Sequence, residues 1–446
     1  MTTAMKYNGS RTLESLPAYD ASLQARLPSG RSVFLGAKEL GLDVYFDPEP
    51  FLHYDVTARF VKWSQVNLHL RRSYSHRVLE TIKLPAENGG GLKRRVLSEE
   101  HADTLVNTAA QRMRSVLHAL EHGDIETASP SNADALSRIR PMVERCAQFN
   151  ADAARADTEK FFSIYRRVAI LPPDQYNSFV LQATEGCAYN ECTFCGFYRG
   201  TRFHVKTPTE FQRHIEQAVA FHGASLANRR GIFLDQANAL TMPMPRLLEI
   251  FRILNERFEF PPPDQADSAT WWLGHPRRFD GIYSFVDAFT GLNKSADDYR
   301  ALRTLNLRRV YLGMETGDDE LMQFLNKPAS TSSVAATVRR LKDAGLSVAV
   351  VVLIGAGGEQ FYERHTTRTI EALNHLPLGK SDYIYLSPLV EVHGAHYFTI
   401  ARQAGLEILS PHRVHQQEQA IRAGLRFADP ARRPYVARYD IEQFVY

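Results

Sequence analysis

Three of the chain's four cysteines, Cys187, Cys192 and Cys195, fall within the segment EGCAYNECTFCGFYRG, residues 185–200, with four and then two residues between them. Four thiols in 446 residues cannot form a disulfide framework, so the grouping points to metal binding or catalysis in a reducing compartment. A structural zinc needs a fourth ligand. The local candidates, Cys146 and His204, complete no usual spacing. A distant residue can still supply the fourth position, so a zinc-binding interaction protein stays open. A 4Fe–4S cluster suits the count better. Thiolates bind cluster irons one each, and three of them leave one iron open to chelate a substrate or cofactor.

A loop with that task must be carried by rigid elements. After Pro172 the apolar runs SFVLQAT, GIFLD, GIYSFVDAF, RRVYLGME, LSVAVVVLIG and DYIYLSPL alternate with amphipathic segments. One of these opens with Thr207, Pro208 and Glu210 in capping-box order and carries Phe211, Ile215 and Ala218 on one face. Strands apolar nearly throughout, alternating with helices, predict a parallel sheet buried on both faces. Six such units in about 210 residues predict an α/β fold built on a partial (β/α)6 barrel rather than the full eight. The cysteine loop follows the first strand and therefore opens at the mouth where barrel chemistry concentrates. Residues 1–165 read as an N-terminal α+β accessory region. It comprises short extended stretches (Ser32–Leu35, Val44–Phe46, Val66–Leu70), a helix over Ser98–Leu120, a linker EHGDIETASPSN and a long helical segment over Ala133–Tyr165. The barrel is expected over 166–390, with 391–446 as a C-terminal extension covering its mouth.

Composition narrows the function classes. Hydrophobic residues make 44% and charged residues 23%, ordinary for a globular protein, and the net charge is only +3. That balance argues for neither a nucleic-acid nor a membrane-surface partner. The opening MTTAMKYNGS has no apolar core of a signal peptide and no run is long enough to span a bilayer, so a cytoplasmic location is expected.

The cysteine loop resembles that of the radical S-adenosylmethionine superfamily, in the branch reading roughly GC-x-x-N-x-C-x-FC-x-x-Y. ILPPDQYNSFVLQATEGC, FLDQANAL, VYLGMETGDDELMQFLNKP, VLIGAGGE and the closing YVARYDIEQFVY are similar to further stretches of that family, as, less clearly, is VYFDPEPFLHY. The superfamily's commonest loop has three residues between its first two cysteines, where this one has four. The resemblance implies an enzyme in which the cluster, held by Cys187, Cys192 and Cys195, binds S-adenosylmethionine at its open iron. Reductive cleavage then yields a 5′-deoxyadenosyl radical that abstracts hydrogen from a small-molecule substrate. An external one-electron donor such as flavodoxin or ferredoxin is implied. Transfer of the 3-amino-3-carboxypropyl group of the same cofactor to a nucleophile is the alternative outcome. The resemblance also implies that Phe194 abuts adenine, that Asp235 and Asn238 meet the methionine amino group, and that Glu315 accepts from the ribose hydroxyls. Ser284 is a further ribose candidate and Lys206 a partner for the cofactor carboxylate.

Gly355, Gly357 and Gly358 in VLIGAGGE suggest a dinucleotide fingerprint, but its last glycine position holds Gln360 and no helix is expected to start at once. They are read instead as allowing close backbone approach to adenine. On the substrate side, the loops 287–294, 359–365 and 391–397 should line the mouth. In the last, EVHGAHY, Glu391, His393 and His396 are candidates for acid–base chemistry or a second metal. Trp271 and Trp272, in the Pro-rich insert 259–279, should cover apolar surface at the opposite face. With only Cys146 left, no auxiliary cluster is possible, and the N-terminal region shows no cobalamin-like histidine and glycine pattern.

Overall fold

Strands that are apolar along their whole length can face water on neither side, and the six apolar runs after Pro172 are buried accordingly. The computed structural model describes residues 19–85, 91–262, 270–427 and 429–446. In it these runs become Phe179–Gln182, Ile232–Asp235, Ile282–Val286, Leu307–Glu315, Ser347–Ile354 and Tyr383–Pro388. They pair in sequence order, all parallel. Helices Pro208–His222, Met244–Arg257, Ala296–Thr304, Thr331–Asp343 and Gly358–Asn374 form between them. The first closes the capping box of Thr207 and Glu210 and buries Phe211, Ile215 and Ala218, so the apolar stripe and the cap written in the sequence act together. One core cluster spans this sheet and its helices.

The sheet has one strand more than the sequence suggests. Tyr435–Arg438 pairs parallel to Tyr383–Leu386 as a seventh strand, and the sheet stays open between its first and seventh members. Short, with Tyr435 exposed, this strand lacks the apolar continuity of the others, which is why periodicity alone misses it.

The N-terminal part is a nine-stranded antiparallel sheet. It runs from the edge strand Leu92–Val96 back in reverse chain order to Ala21–Arg26, then to Ile125–Ser129. The sequence expectation is corrected at two points. The supposed linker contains the strand Ile125–Ser129, paired with Ala21–Arg26. The long helical segment is two helices, Asn132–Gln148 and Ala151–Ile164, separated where Asn150 caps the second. Glu99–Glu121 and Asn132–Gln148 bury their apolar faces against the sheet in a second core, whereas Ala151–Ile164 sends Phe161 into the core of the parallel sheet. Residues 1–18, 86–90 and 263–269, within stretches read above as accessory region and Pro-rich insert, lie outside the described residues. Trp271, within that insert, is half-buried under the Arg278 guanidinium, 4.6 Å from its ring centre.

Candidate active site

The loop that carries the cysteines leaves the first parallel strand and is tied at its neck. Thr184–Glu185 pairs antiparallel with His204–Val205, enclosing residues 186–203. Gly186 sits at φ 73°, donates to Gln236 Oε1 at 2.6 Å, and has Thr201 O only 2.9 Å from where a Cβ would stand. No other residue fits that neck without displacing backbone. Within the loop, Asn190 donates its amide to Cys187 Sγ (3.3 Å) and its side chain to Tyr198 O (3.1 Å). Two distant segments brace it. Residues after the short helix Asp319–Phe324 hold it through Thr193 N to Leu325 O, Tyr189 Oη to Asn326 O and Asn326 Nδ2 to Glu191 O, all 2.9–3.0 Å. From the other side, His396 N and Tyr397 N both donate to Thr193 O, at 2.8 and 2.9 Å.

Cys187, Cys192 and Cys195 line one cavity together with Phe194, Asn238, Glu315 and Lys327, and its remaining wall is mostly aromatic and aliphatic. About 1150 Å³ of space, mouth included, is free of atoms there. Burial pushes the Cys192 thiol up to about 12 and the Cys195 thiol up to about 11. For Cys192 the neighbouring Lys327 pulls the other way. Lys327 is buried and ion-paired to Glu315 at 2.5 Å. Its burial works against the charge, but Glu315 and Cys192 outweigh it and hold the ammonium above its ordinary range. Among the described residues, no three histidine, cysteine, aspartate or glutamate side chains converge closely enough to hold a metal ion.

The residues singled out from the sequence are only partly gathered here. Phe194, Asn238 and Glu315 line the cavity, and Phe194 also packs against a small core containing Leu321, Leu353 and Tyr397. Asn238 donates to Asp287 Oδ2 (2.5 Å) and Thr290 Oγ1 (3.0 Å), while its buried Oδ1 has no partner among the described residues. Asp235 ends its strand beneath the lining, fully buried and accepting from Gln182 Nε2 at 3.3 Å; burial pushes its carboxyl up to about 7, against the Gln182 hydrogen bond. Ser284 is buried outside the lining and spends its hydroxyl on Leu234 O, 2.9 Å. Lys206 also stands outside the lining, donating to Gln182 O and paired with Glu185 at 3.3 Å.

At the three glycines the expectation about the following helix is corrected. A helix starts at Gly358 immediately after the turn, and space beside each glycine is taken by protein. A Cβ at Gly355 would stand 3.1 Å from Val414 Cγ2, one at Gly357 2.5 Å from Phe361 Cβ, and one at Gly358 2.3 Å from Glu407 O. Glu391, His393 and His396 are exposed and absent from the lining. Their loop contributes Val390 and Val392 to the cavity, and backbone to the cysteine loop. Sequence reasoning gave no role to Lys327, inside the quoted FLNKP, or to Tyr439 and Ile441, inside the quoted tail, all of which line the cavity. Their signal was position within family-like stretches, not residue type.

Residues 181–369 match the family model described as the Radical SAM superfamily. An uncharacterized methyltransferase of Synechocystis is 25% identical over 202 residues, covering 44% of this chain and 32% of its own length. Among solved structures, the cobalamin-dependent S-adenosylmethionine radical enzyme OxsB shows 10% identity over 56% of this chain and 32% of its own, with a TM-score of 0.36. The radical S-adenosylmethionine methyltransferase TsrM from Kitasatospora setae shows 15% identity over 62% and 58%, with a TM-score of 0.41. The chain thus spans 32% of the length of the Synechocystis protein and of OxsB.

Proposed function

Because residues 181–369 belong to the radical S-adenosylmethionine superfamily, we propose that this chain is an enzyme that binds one 4Fe–4S cluster through Cys187, Cys192 and Cys195 and uses S-adenosylmethionine to abstract hydrogen from a small molecule. The cluster and cofactor, when bound, supply an electron and the sulfonium whose cleavage gives a 5′-deoxyadenosyl radical. The observation that carries this reading is that three thiols of one loop share a single apolar-walled cavity, with no fourth cysteine and no histidine among its described lining residues. The three thiols do not converge on a single ion, which argues against a closed zinc site; an iron–sulfur cluster takes one thiolate per iron and leaves one iron open.

The chain's own residues have definable tasks. Lys327, the cation beside Cys192, favours the thiolate form that burial opposes. Asn238 Oδ1 is an orphaned acceptor in the wall, suited to an ammonium N–H, and a buried orphan gains most from being paired. Glu315 keeps one carboxylate oxygen on Lys327 and has a second to offer a pair of hydroxyls. The aliphatic and aromatic wall excludes water, which protects a radical from quenching.

The test is anaerobic reconstitution with iron and sulfide, addition of S-adenosylmethionine and dithionite, and separation of nucleosides by chromatography with mass detection. 5′-Deoxyadenosine is expected, and Cys192→Ala should abolish it and lower bound iron. Cluster-dependent methylthioadenosine would replace hydrogen abstraction by carboxypropyl transfer. Stoichiometric zinc without iron or labile sulfide would overturn the proposal.

A further inference from the structure

A second cavity lies where the antiparallel and parallel sheets meet, and it shares no lining residue with the one that holds the cysteines. Its walls include the antiparallel strands Phe51–Asp55, Phe60–Ser64 and Leu68–Arg72, the turn after the helix Pro208–His222, and the tail at Val445 and Tyr446. About 850 Å³ of space there, mouth included, is free of atoms.

Four arginines line it, Arg59, Arg71, Arg72 and Arg229, and they divide into two pairs. Arg59 and Arg72 share Asp157, at 2.8 and 3.8 Å. Asp55, the carboxylate in the lining, also stands on the Arg59 side, where its Oδ1 accepts from Thr57 N, Thr57 Oγ1 and Arg59 N. Arg71 and Arg229, both half-buried, pair with no carboxylate among the described residues. Arg71 donates only Nη2, to Gln443 O (3.1 Å) and Val445 O (3.4 Å), and Arg229 only Nη2, to Tyr74 Oη (2.9 Å). The Nε and Nη1 of each therefore have no partner among the described residues, and none of these nitrogens is sealed from solvent. The Arg229 guanidinium lies 5.3 and 5.7 Å from the ring centres of Tyr446 and Tyr74, which fixes its direction without neutralising it. Burial first, and the like charge of Arg229 with it, hold the Arg71 guanidinium below the ordinary arginine range.

We propose that this cavity is a binding site for a phosphate group, free or carried as a monoester on a small molecule, held by Arg71 and Arg229. Two guanidiniums with unspent nitrogens call for two negative charges, and a tetrahedral dianion offers oxygens to both forks. A monocarboxylate brings one charge for the two and binds less well. Arg71 belongs to the antiparallel sheet and Arg229 to the turn beside the parallel one, so an occupied site ties the two sheets together. The inference is independent of the cluster reading, because the two cavities have no residue in common.

The test is isothermal titration calorimetry on the full chain with inorganic phosphate, sn-glycerol 3-phosphate and acetate, at fixed ionic strength and about pH 7.5, where phosphate carries close to two charges. Expected are saturable binding of phosphate and acetate weaker by at least about tenfold. Arg71→Gln should weaken phosphate binding by at least about tenfold, and Arg71→Lys should recover part of the loss, since the charge returns without the fork. Lys380→Gln, in a separate cavity beside the seventh strand, should bind phosphate as the unaltered chain does. Glycerol 3-phosphate separates the two sources: tighter binding than phosphate assigns the site to a monoester, and equal or weaker binding to free phosphate. The inference is overturned if neither phosphate compound binds saturably, if acetate binds as tightly as phosphate, if Arg71→Gln keeps the original affinity, or if Lys380→Gln loses as much as Arg71→Gln. The acetate comparison uses the unaltered chain and does not depend on a variant folding.

Discussion

Asp235 illustrates how a single buried group sets a pH response. Its carboxyl, pushed up to about 7 by burial, holds a proton in the folded chain that the unfolded chain releases in the ordinary carboxylate range. Between those two values the native state binds more protons, so stability falls as pH rises through the window. Asp235→Asn keeps an acceptor for Gln182 and removes the titration. Urea unfolding should show the variant more stable than the wild type by roughly 2–4 kcal/mol at about pH 8, with the difference vanishing near about pH 4. An unchanged difference across that range would mean that the carboxylate stays charged. Two of the loop's cysteines show the same physics. Burial favours the protonated thiol at Cys192 and Cys195, so binding of the proposed cluster would release protons.

At the scale of elements, the cysteine loop depends on its own Tyr189 and Asn190 side chains and on close backbone contacts. Gly196 is the tightest of these: a Cβ there would stand 2.1 Å from His393 O and 2.7 Å from Ala395 N. Both are backbone atoms, so neither can swing aside. Gly196→Ala should push the 391–397 segment off the loop, destabilise the fold by about 2–3 kcal/mol, and lower iron retained after reconstitution. Denaturant unfolding together with iron analysis checks both effects. Iron retention equal to wild type would show the brace to be dispensable. The EVHGAHY segment therefore matters through its peptide groups and, with the preceding Val390, through Val392, although its histidines attract attention in the sequence.

For the whole molecule, the antiparallel and parallel sheets are joined by polar contacts that cross their boundary. Arg59, between two antiparallel strands, donates Nε to both Asp157 oxygens (2.9 and 3.0 Å) and Nη2 to Phe221 O (2.9 Å), and its guanidinium lies 4.4 Å from the Phe221 ring centre. The paired side chains are only 11% and 12% exposed. Arg59→Ala would leave Asp157 with Arg72 alone, 3.8 Å away. It should destabilise the chain by about 3 kcal/mol, read as a lower urea midpoint. A loss within experimental error would show that the two sheets hold together without this pair. The tail adds a second tie. Arg71 Nη2 donates to Gln443 O, Arg94 pairs with Asp440, and Tyr446 Oη accepts from Val180 N in the first parallel strand.

By itself the sequence determined what is written in local pattern. The six apolar strands are legible because burial on both faces demands unbroken apolar runs, and the helix at Pro208 because its cap and stripe are contiguous. The cysteine spacing is legible because the three thiols of one loop are neighbours in the chain. Tertiary structure decided the rest. The seventh strand has no apolar run of its own and exists by pairing with Tyr383–Leu386. The Cβ positions of Gly355, Gly357 and Gly358 are closed off by Val414, Phe361 and Glu407, the first and last from segments about fifty residues or more away. Lys327 and Tyr439 reach the cavity from places 132 and 244 residues beyond Cys195, and no local pattern encodes that meeting. Side chains brought together by chain crossing leave no periodic trace, because their proximity is set by the packing of whole elements rather than by the residues beside them.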